Sequence, residues 1–216
     1  AAVCTTWSLW GAPQSVAARL ALLRHPSLAG VSRLFLHVSP GPGLDDVIEA
    51  LCAAAPQGQL HALYVRAEGL SAAALGRLAQ STARRGLGAL TLPWLDAEVV
   101  AALARETWPR LTALEATKSR LDREAATTLS GSSRFPALVS LSLPRSSLHS
   151  TVLAALTAAG RLTTLDVTDN QLDESRVAEL LAPPGAASLR RLVLRSNGLE
   201  DAGAAVVASC AHLRAV

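Results

Sequence analysis

The sequence predicts an α/β solenoid, in which short parallel strands line the concave face of a curve and helices cover the convex face. Two observations predict it: a motif of spaced aliphatic residues returns about eight times along the chain, and a stretch with helical periodicity follows each copy. One such unit cannot bury its apolar side alone, so successive units must stack against one another. We therefore expect residues 1–216 to form a single domain of about eight repeats.

The motif is clearest in its last two complete copies, LTTLDVTDNQL from Leu162 and LRRLVLRSNGL from Leu189. Places are counted from the first residue of a copy. Both copies have leucine at places one, four and eleven, an aliphatic residue at place six and asparagine at place nine. The copies begin at residues 4, 31, 60, 87, 111, 138, 162 and 189, and a truncated ninth begins at 213. The steps of 24, 27 or 29 residues keep one phase throughout, which a random leucine-rich chain would not do.

Each unit contains a strand and then a helix. Places four and six alternate with places three, five and seven, as a strand with one buried face requires. The period then changes to that of an amphipathic helix. The first such run has apolar residues spaced i, i+3, i+4 and i+7: Leu44, Val47, Ile48 and Leu51. Gly160 and the run Pro183-Pro184-Gly185 predict helix ends.

These residues resemble the leucine-rich repeat family, and the resemblance extends over essentially the whole chain. The run NGLEDAGAAVVA from Asn197 is similar to the helix start of the ribonuclease-inhibitor-like, helix-bearing subtype. In that family the place-nine asparagine bonds to backbone inside the turn. Serine can replace part of this bonding, but Leu95, at place nine of the fourth unit, cannot. We therefore expect the fourth turn, which also contains Pro93 and Trp94, to differ from the others.

The composition favours neither nucleic-acid nor membrane chemistry. The chain has 20 basic and 17 acidic residues, and neither half is a basic arm, so charge does not indicate nucleic-acid binding. No apolar run approaches the roughly 18–20 residues of a transmembrane helix. The sequence has no GxSxG, P-loop, HExxH or CxxC motif, and its histidines lack the spacing of metal ligands. We therefore expect a protein that is not an enzyme and that needs no cofactor or metal.

The cysteines favour an intracellular, reducing compartment. Cys4, Cys52 and Cys210 have no CxxC spacing and no obvious disulfide partners. Residues 1–44 contain arginine but no Asp or Glu, as organelle-targeting segments can, so a mitochondrial location stays open beside a cytoplasmic one. The alternative, which we prefer, is that these residues are the first turns of the fold. The chain contains no Met, which suggests a processed chain or a piece of a longer one.

The candidate binding site lies where places three, five and seven point off the concave face. The chain has only four Trp, two Phe and one Tyr, and three of these occupy such places in consecutive units. Aromatic residues and arginine are enriched in binding hot spots, and outward-facing apolar residues usually need a cover. A terminal segment of the chain covering the patch is the alternative to a partner. We predict that six residues bind a partner: Trp10, Arg33, Phe35, His37, Tyr64 and Arg66.

The function predicted from these features is a non-catalytic protein–protein interaction module, an accessory or scaffold subunit that binds other proteins through its concave face. The resemblance implies alternatives, because helix-bearing leucine-rich repeats also occur in ubiquitin-ligase receptors, in Ran GTPase-activating protein and in innate immune sensors. Those readings would need an adaptor segment, catalytic loop residues or a nucleotide-binding domain, respectively. Nucleic acid is disfavoured as a partner, although aromatic residues with arginine can stack bases.

Overall fold

The structure, a computed structural model, contains eight parallel strands in one sheet that alternate with helices. It describes residues 5–9, 21, 30–37, 44–54, 59–66 and 70–210. The strands follow one another across the sheet in chain order, so every connection crosses from one strand to its parallel neighbour. This confirms the predicted fold class. Strands β1 to β8 are Thr5–Leu9, Val31–His37, Ala62–Arg66, Ala89–Leu92, Ala113–Ala116, Ser140–Ser142, Thr164–Asp166 and Arg191–Val193.

Seven helices with defined bounds lie in the described ranges, each after a strand from β2 onward. Helices α1 to α7 are Leu44–Ala54, Ala72–Gln80, Ala97–Leu103, Arg123–Gly131, Ser150–Ala158, Glu174–Leu181 and Asp201–Ser209. Several begin at a side-chain cap: the Asp96, Asp122 and Asp173 carboxylates accept the N–H three residues on, at the start of α3, α4 and α6. Such caps satisfy a backbone donor that the helix leaves unpaired and place negative charge at its N-terminus. None of the described helices is both long and apolar enough to cross a membrane.

The register of the sheet confirms the repeat frame residue by residue. Place four of every unit pairs with place four of the next, in the series Trp7, Leu34, Leu63, Leu90, Leu114, Leu141, Leu165 and Leu192. From Leu34 to Leu165 these leucines are at most 1% exposed. Because strand side chains alternate, a slip of one residue would have exchanged the buried and outward places. The frame is therefore fixed for the first unit as well.

A ladder of hydrogen bonds joins the turns that follow the strands. The N–H groups of Leu95, Ser119, Ser146 and Asn170 each donate to the place-nine side-chain oxygen of the next unit, at 2.9–3.0 Å. The accepting oxygens are Ser119 Oγ, Ser146 Oγ, Asn170 Oδ1 and Asn197 Oδ1. Serine thus accepts the same inter-unit bond as asparagine. Ser119, Ser146 and Asn170 are buried, and their bonding satisfies polar groups that burial would otherwise penalise.

The turn of the fourth unit differs from the later ones, as expected. Place eight has a left-handed backbone in units five to eight, with φ of 53–56° at Lys118, Arg145, Asp169 and Ser196, but the corresponding Trp94 is not among the positive-φ residues. The helix cap Asp96 comes immediately after Leu95, so the turn is shorter than the later ones. Leu95 cannot accept the ladder bond, and it is instead fully buried in the core.

Glycine is required where the chain passes the end of α5. Gly160 follows the helix with φ of 68°, a left-handed conformation that favours glycine after a helix. A Cβ on Gly185 would collide with the Thr157 carbonyl oxygen, so no side chain fits there. The predicted helix end at Gly160 is confirmed. The Pro-Pro-Gly run continues into a 3-10 turn, Pro184–Ser188, that packs against α5.

Two large aromatic side chains hold the segments that precede β5 and β6. Trp108 and Phe135 are fully buried, and each opens an aromatic-Pro-x-Leu sequence whose leucine is the first residue of the next unit. Trp108 Nε1 donates to the Leu103 carbonyl at 2.9 Å, and its backbone N–H donates to the Arg134 carbonyl at 2.8 Å. Trp108 therefore connects the end of α3 with the segment that precedes β6 in the following unit. The repeat frame does not predict this contact.

Both described cysteines, Cys52 and Cys210, are free, as their positions on separate helical runs predict; Cys4 lies outside the described residues. Burial raises the pKa of the Cys52 thiol, and a hydrogen bond with Ser81 only partly opposes this rise. Because the thiolate is the reactive form, alkylation of Cys52 should reach its half-maximal rate at a higher pH in the folded protein than in urea. Peptide mass mapping across a pH series measures both rates. Equal midpoints in the two states would contradict the prediction.

Candidate partner-binding face

The side of the sheet that carries places three, five and seven, called the open face here, displays the predicted site residues. On β2 and β3 the alternate side chains Leu34, Leu36, Leu63 and Val65 are buried in the core. Arg33, His37 and Arg66 are exposed, while Phe35 and Tyr64 are half-buried. The pairing aligns Phe35 with Tyr64 and His37 with Arg66. Trp10, the sixth predicted residue, lies outside the described residues.

Phe35 and Tyr64 form a parallel ring stack. Their centroids are 4.1 Å apart and their planes differ by 3°. Parallel strands lie about 4.8 Å apart, so side chains at the same place of adjacent units stand near stacking distance. Small residues flank both sides of the stack, because Ser8 pairs with Phe35 and Thr91 pairs with Tyr64. Each ring therefore covers one face of the other and keeps its second face beside a small neighbour.

A pocket of about 310 Å³ opens beside the ring stack. Its wall combines four of the predicted residues with Leu36, Thr91 and Glu115. Arg33 lies on the same open face but not on the pocket wall. Thr91 and Glu115 occupy place five of β4 and β5, in register with Tyr64. Sequence reasoning selected aromatic and basic residues and therefore missed both, although the repeat frame places them beside the stack.

Charge on the open face is divided along the sheet. Arg33, His37 and Arg66 lie at its N-terminal end, Glu115 and Asp166 lie on β5 and β7, and Arg191 and Arg195 lie at its C-terminal end. Arg77 pairs with Asp45 and Glu49, Arg84 with Glu106, and Arg145 with Asp169, and neither Arg33 nor Arg66 joins an ion pair among the described residues. Arg33 and Arg66 thus stand at the aromatic end without a carboxylate partner in that part of the chain.

The arrangement is suited to binding through apolar contact and cationic hydrogen bonds. The ring stack offers apolar area, and each guanidinium offers a planar fork of donors that matches a carboxylate. Within the residues that the structure describes, no group of three or more His, Cys, Asp or Glu side chains is placed to hold a metal ion.

The fold defines the class of protein: an α/β solenoid of about eight strand–helix units with a polar and aromatic open face. No protein-family model matches the chain, and no curated protein matches it either.

Proposed function

We propose that this chain is a non-catalytic, intracellular protein-interaction module of the leucine-rich repeat family, closest to the ribonuclease-inhibitor-like subtype. It serves as an accessory or scaffold subunit of a larger assembly and binds another protein through the N-terminal end of its open face. The binding residues are Trp10, Arg33, Phe35, His37, Tyr64 and Arg66.

The ring stack is the observation that carries this proposal. Phe35 and Tyr64 are half-buried on an outward place of the sheet, where the repeat needs no aromatic residue for its core. They are flanked by the exposed side chains of Arg33, His37 and Arg66. Aromatic and arginine side chains grouped around a pocket have the composition of interface hot spots. A partner that covers the rings would remove apolar area from water and would leave the core unchanged.

The family assignment is supported by the inter-unit ladder as well as by the repeat frame. Asn170 and Asn197 each bond to one carbonyl of their own unit and one of the preceding unit. Asn170 Nδ2 donates to the Thr168 and Leu143 carbonyls, and Asn197 Nδ2 donates to the Leu194 and Val167 carbonyls. The bonds to Thr168 and Leu194, inside the turn, are the role that the resemblance implies for place nine. The free thiols of Cys52 and Cys210 are compatible with a reducing compartment.

The double substitution Phe35→Ala with Tyr64→Ala tests the proposed binding face. We expect a folded protein whose free energy of unfolding falls by at most about 1 kcal/mol, because the rings are only half-buried and stack on each other. Loss of a true hot-spot side chain costs at least about 2 kcal/mol of binding, roughly thirtyfold in affinity. Melting temperature and recovery of co-purifying proteins, quantified by mass spectrometry, measure the two effects.

Two variants are the controls for that experiment. Val193→Ala removes an apolar side chain at the same place five on β8 and should leave recovery unchanged. Leu63→Ala, next to Tyr64 but fully buried, should instead cost about 2–5 kcal/mol of stability. A double ring variant that stays folded and retains every partner would show that the ring stack is not the binding site.

A further inference from the structure

Within the part of the chain that the structure describes, the two arginines beside the ring stack have no carboxylate partner. Neither Arg33 nor Arg66 takes part in an ion pair among the described residues. Residues 1–44, which surround β1 and β2 in the chain, contain no Asp or Glu. Of all the acidic residues, only Glu68 lies outside the described ranges. The described carboxylates therefore leave these two charges uncompensated.

The acidic residues of the open face, Glu115 and Asp166, form no ion pair with either arginine. Glu115 is on β5, two strands from Arg66 on β3, which corresponds to about 10 Å across the sheet. Asp166 lies two strands further, and its Oδ1 accepts the N–H of Thr168. Both arginines are exposed, and exposed guanidinium groups bind carboxylates in a bidentate manner.

The positions of the arginines define the spacing of the carboxylates that would pair with them. Arg33 is at place three of β2 and Arg66 at place seven of β3, so they lie on opposite sides of the ring stack. Their Cα atoms are offset by four residues along the strand direction and by one strand across the sheet, which corresponds to a separation of about 14 Å. An extended segment spans about the same distance between residues i and i+4, and residue i+2 faces the same side. That middle residue would stand over the rings.

We propose that the occupant of this face is an extended acidic segment of another protein, with the pattern acidic-x-apolar-x-acidic. The outer carboxylates pair with Arg33 and Arg66, and the central apolar side chain enters the pocket beside Tyr64. The inference rests on the proposed function, since it names the kind of partner that the same surface binds.

A nucleic acid fits this surface less well than a peptide. The rings already stack on each other at 4.1 Å, so no base can be inserted between them. A nucleic-acid backbone that continued across the sheet from Arg66 would bring its phosphates close to the carboxylates of Glu115 and then Asp166, which would repel them. An acidic segment of only a few residues ends before that point.

Selection from a displayed random-peptide library tests the proposal with the whole chain as bait. The wild-type chain should enrich acidic-x-apolar-x-acidic peptides. Arg33→Glu with Arg66→Glu should weaken binding of a synthesised enriched peptide about tenfold, and this variant should instead enrich basic residues at the outer positions. Because carboxylate and guanidinium attract through screened charges, added salt should also weaken the wild-type complex.

The chain offers a matched control at its other end. Arg191 and Arg195 occupy places three and seven of the last unit and are also exposed, but no ring stack lies beside them. Arg191→Glu with Arg195→Glu makes the same change in net charge and should leave both the enriched pattern and the affinity as in the wild type. Equal weakening by both charge reversals would overturn the assignment of the carboxylates to Arg33 and Arg66.

Further outcomes separate this inference from the function on which it rests. Enrichment of peptides without acidic residues, lost on Phe35→Ala with Tyr64→Ala, would overturn the acidic segment and leave the binding face in place. If no enriched peptide required Phe35 and Tyr64 for binding, both the acidic segment and the proposed binding face would be overturned. A nucleic acid would be the better assignment if labelled oligothymidylate bound more tightly than the enriched peptide and if Arg33→Glu with Arg66→Glu abolished that binding. This outcome would overturn the acidic segment.

Discussion

Trp108→Ala should lower the free energy of unfolding by about 3–5 kcal/mol, the range for removing a fully buried large aromatic side chain. Trp108 lies in the segment between α3 and β5 and is fully buried. Its removal leaves a cavity and takes away the indole donor that now bonds the Leu103 carbonyl at 2.9 Å. For a chain of this size the melting temperature should fall by roughly 6–20 °C.

Trp94→Ala is the matched control, because it also removes one indole from the protein. Trp94 is only half-buried and lies in the short turn of the fourth unit, so its loss should cost about 1 kcal/mol. Urea unfolding followed by circular dichroism compares the two variants without relying on tryptophan fluorescence. Equal losses of stability would mean that Trp108 is not a main packing contact between units.

The strands could be predicted from the sequence because their signal is local and repeated. Alternation of buried and outward places is imposed by strand geometry, and eight copies in one phase average out the exceptions. The same frame placed Phe35 and Tyr64 on the open face and identified the fourth turn, with Leu95 in place of a polar residue, as different. The parallel register could be predicted as well, since units that share the same strand pattern stack with equivalent places side by side.

The remaining features depend on contacts for which a periodic pattern has no signal. Trp108 and Phe135 lie in irregular segments, where burial follows from the neighbouring unit and not from a repeat of spacing. An aromatic-Pro-x-Leu sequence in two successive units was the available clue. In the candidate site, Glu115 lines the pocket because the sheet places β5 two strands from Tyr64 on β3. Its residue type alone did not distinguish it from other solvent-exposed carboxylates.

Asn170→Ala should cost about 3 kcal/mol, because it leaves buried backbone groups without partners. The Asn170 side chain is 1% exposed. Its Oδ1 accepts the Ser146 N–H at 2.9 Å, and its Nδ2 donates to the Leu143 carbonyl at 2.8 Å. A buried donor or acceptor without a partner costs about 1–3 kcal/mol. Two such groups in one turn would weaken the contact between the sixth and seventh units.

Asn170→Ser should recover part of this loss, and it separates hydrogen bonding from packing. Ser146 shows that a hydroxyl at place nine can accept the inter-unit N–H, since its Oγ lies 3.0 Å from the Ser119 nitrogen. A serine at position 170 would keep this acceptor but would not reach the Leu143 carbonyl, so about half of the 3 kcal/mol should remain lost. Hydrogen exchange of the Ser146 amide reports directly on the bond that this N–H donates to position 170. Protection should fall strongly in Asn170→Ala and less in Asn170→Ser, whereas equal exchange in the two variants would show that the ladder contributes little to holding the units together.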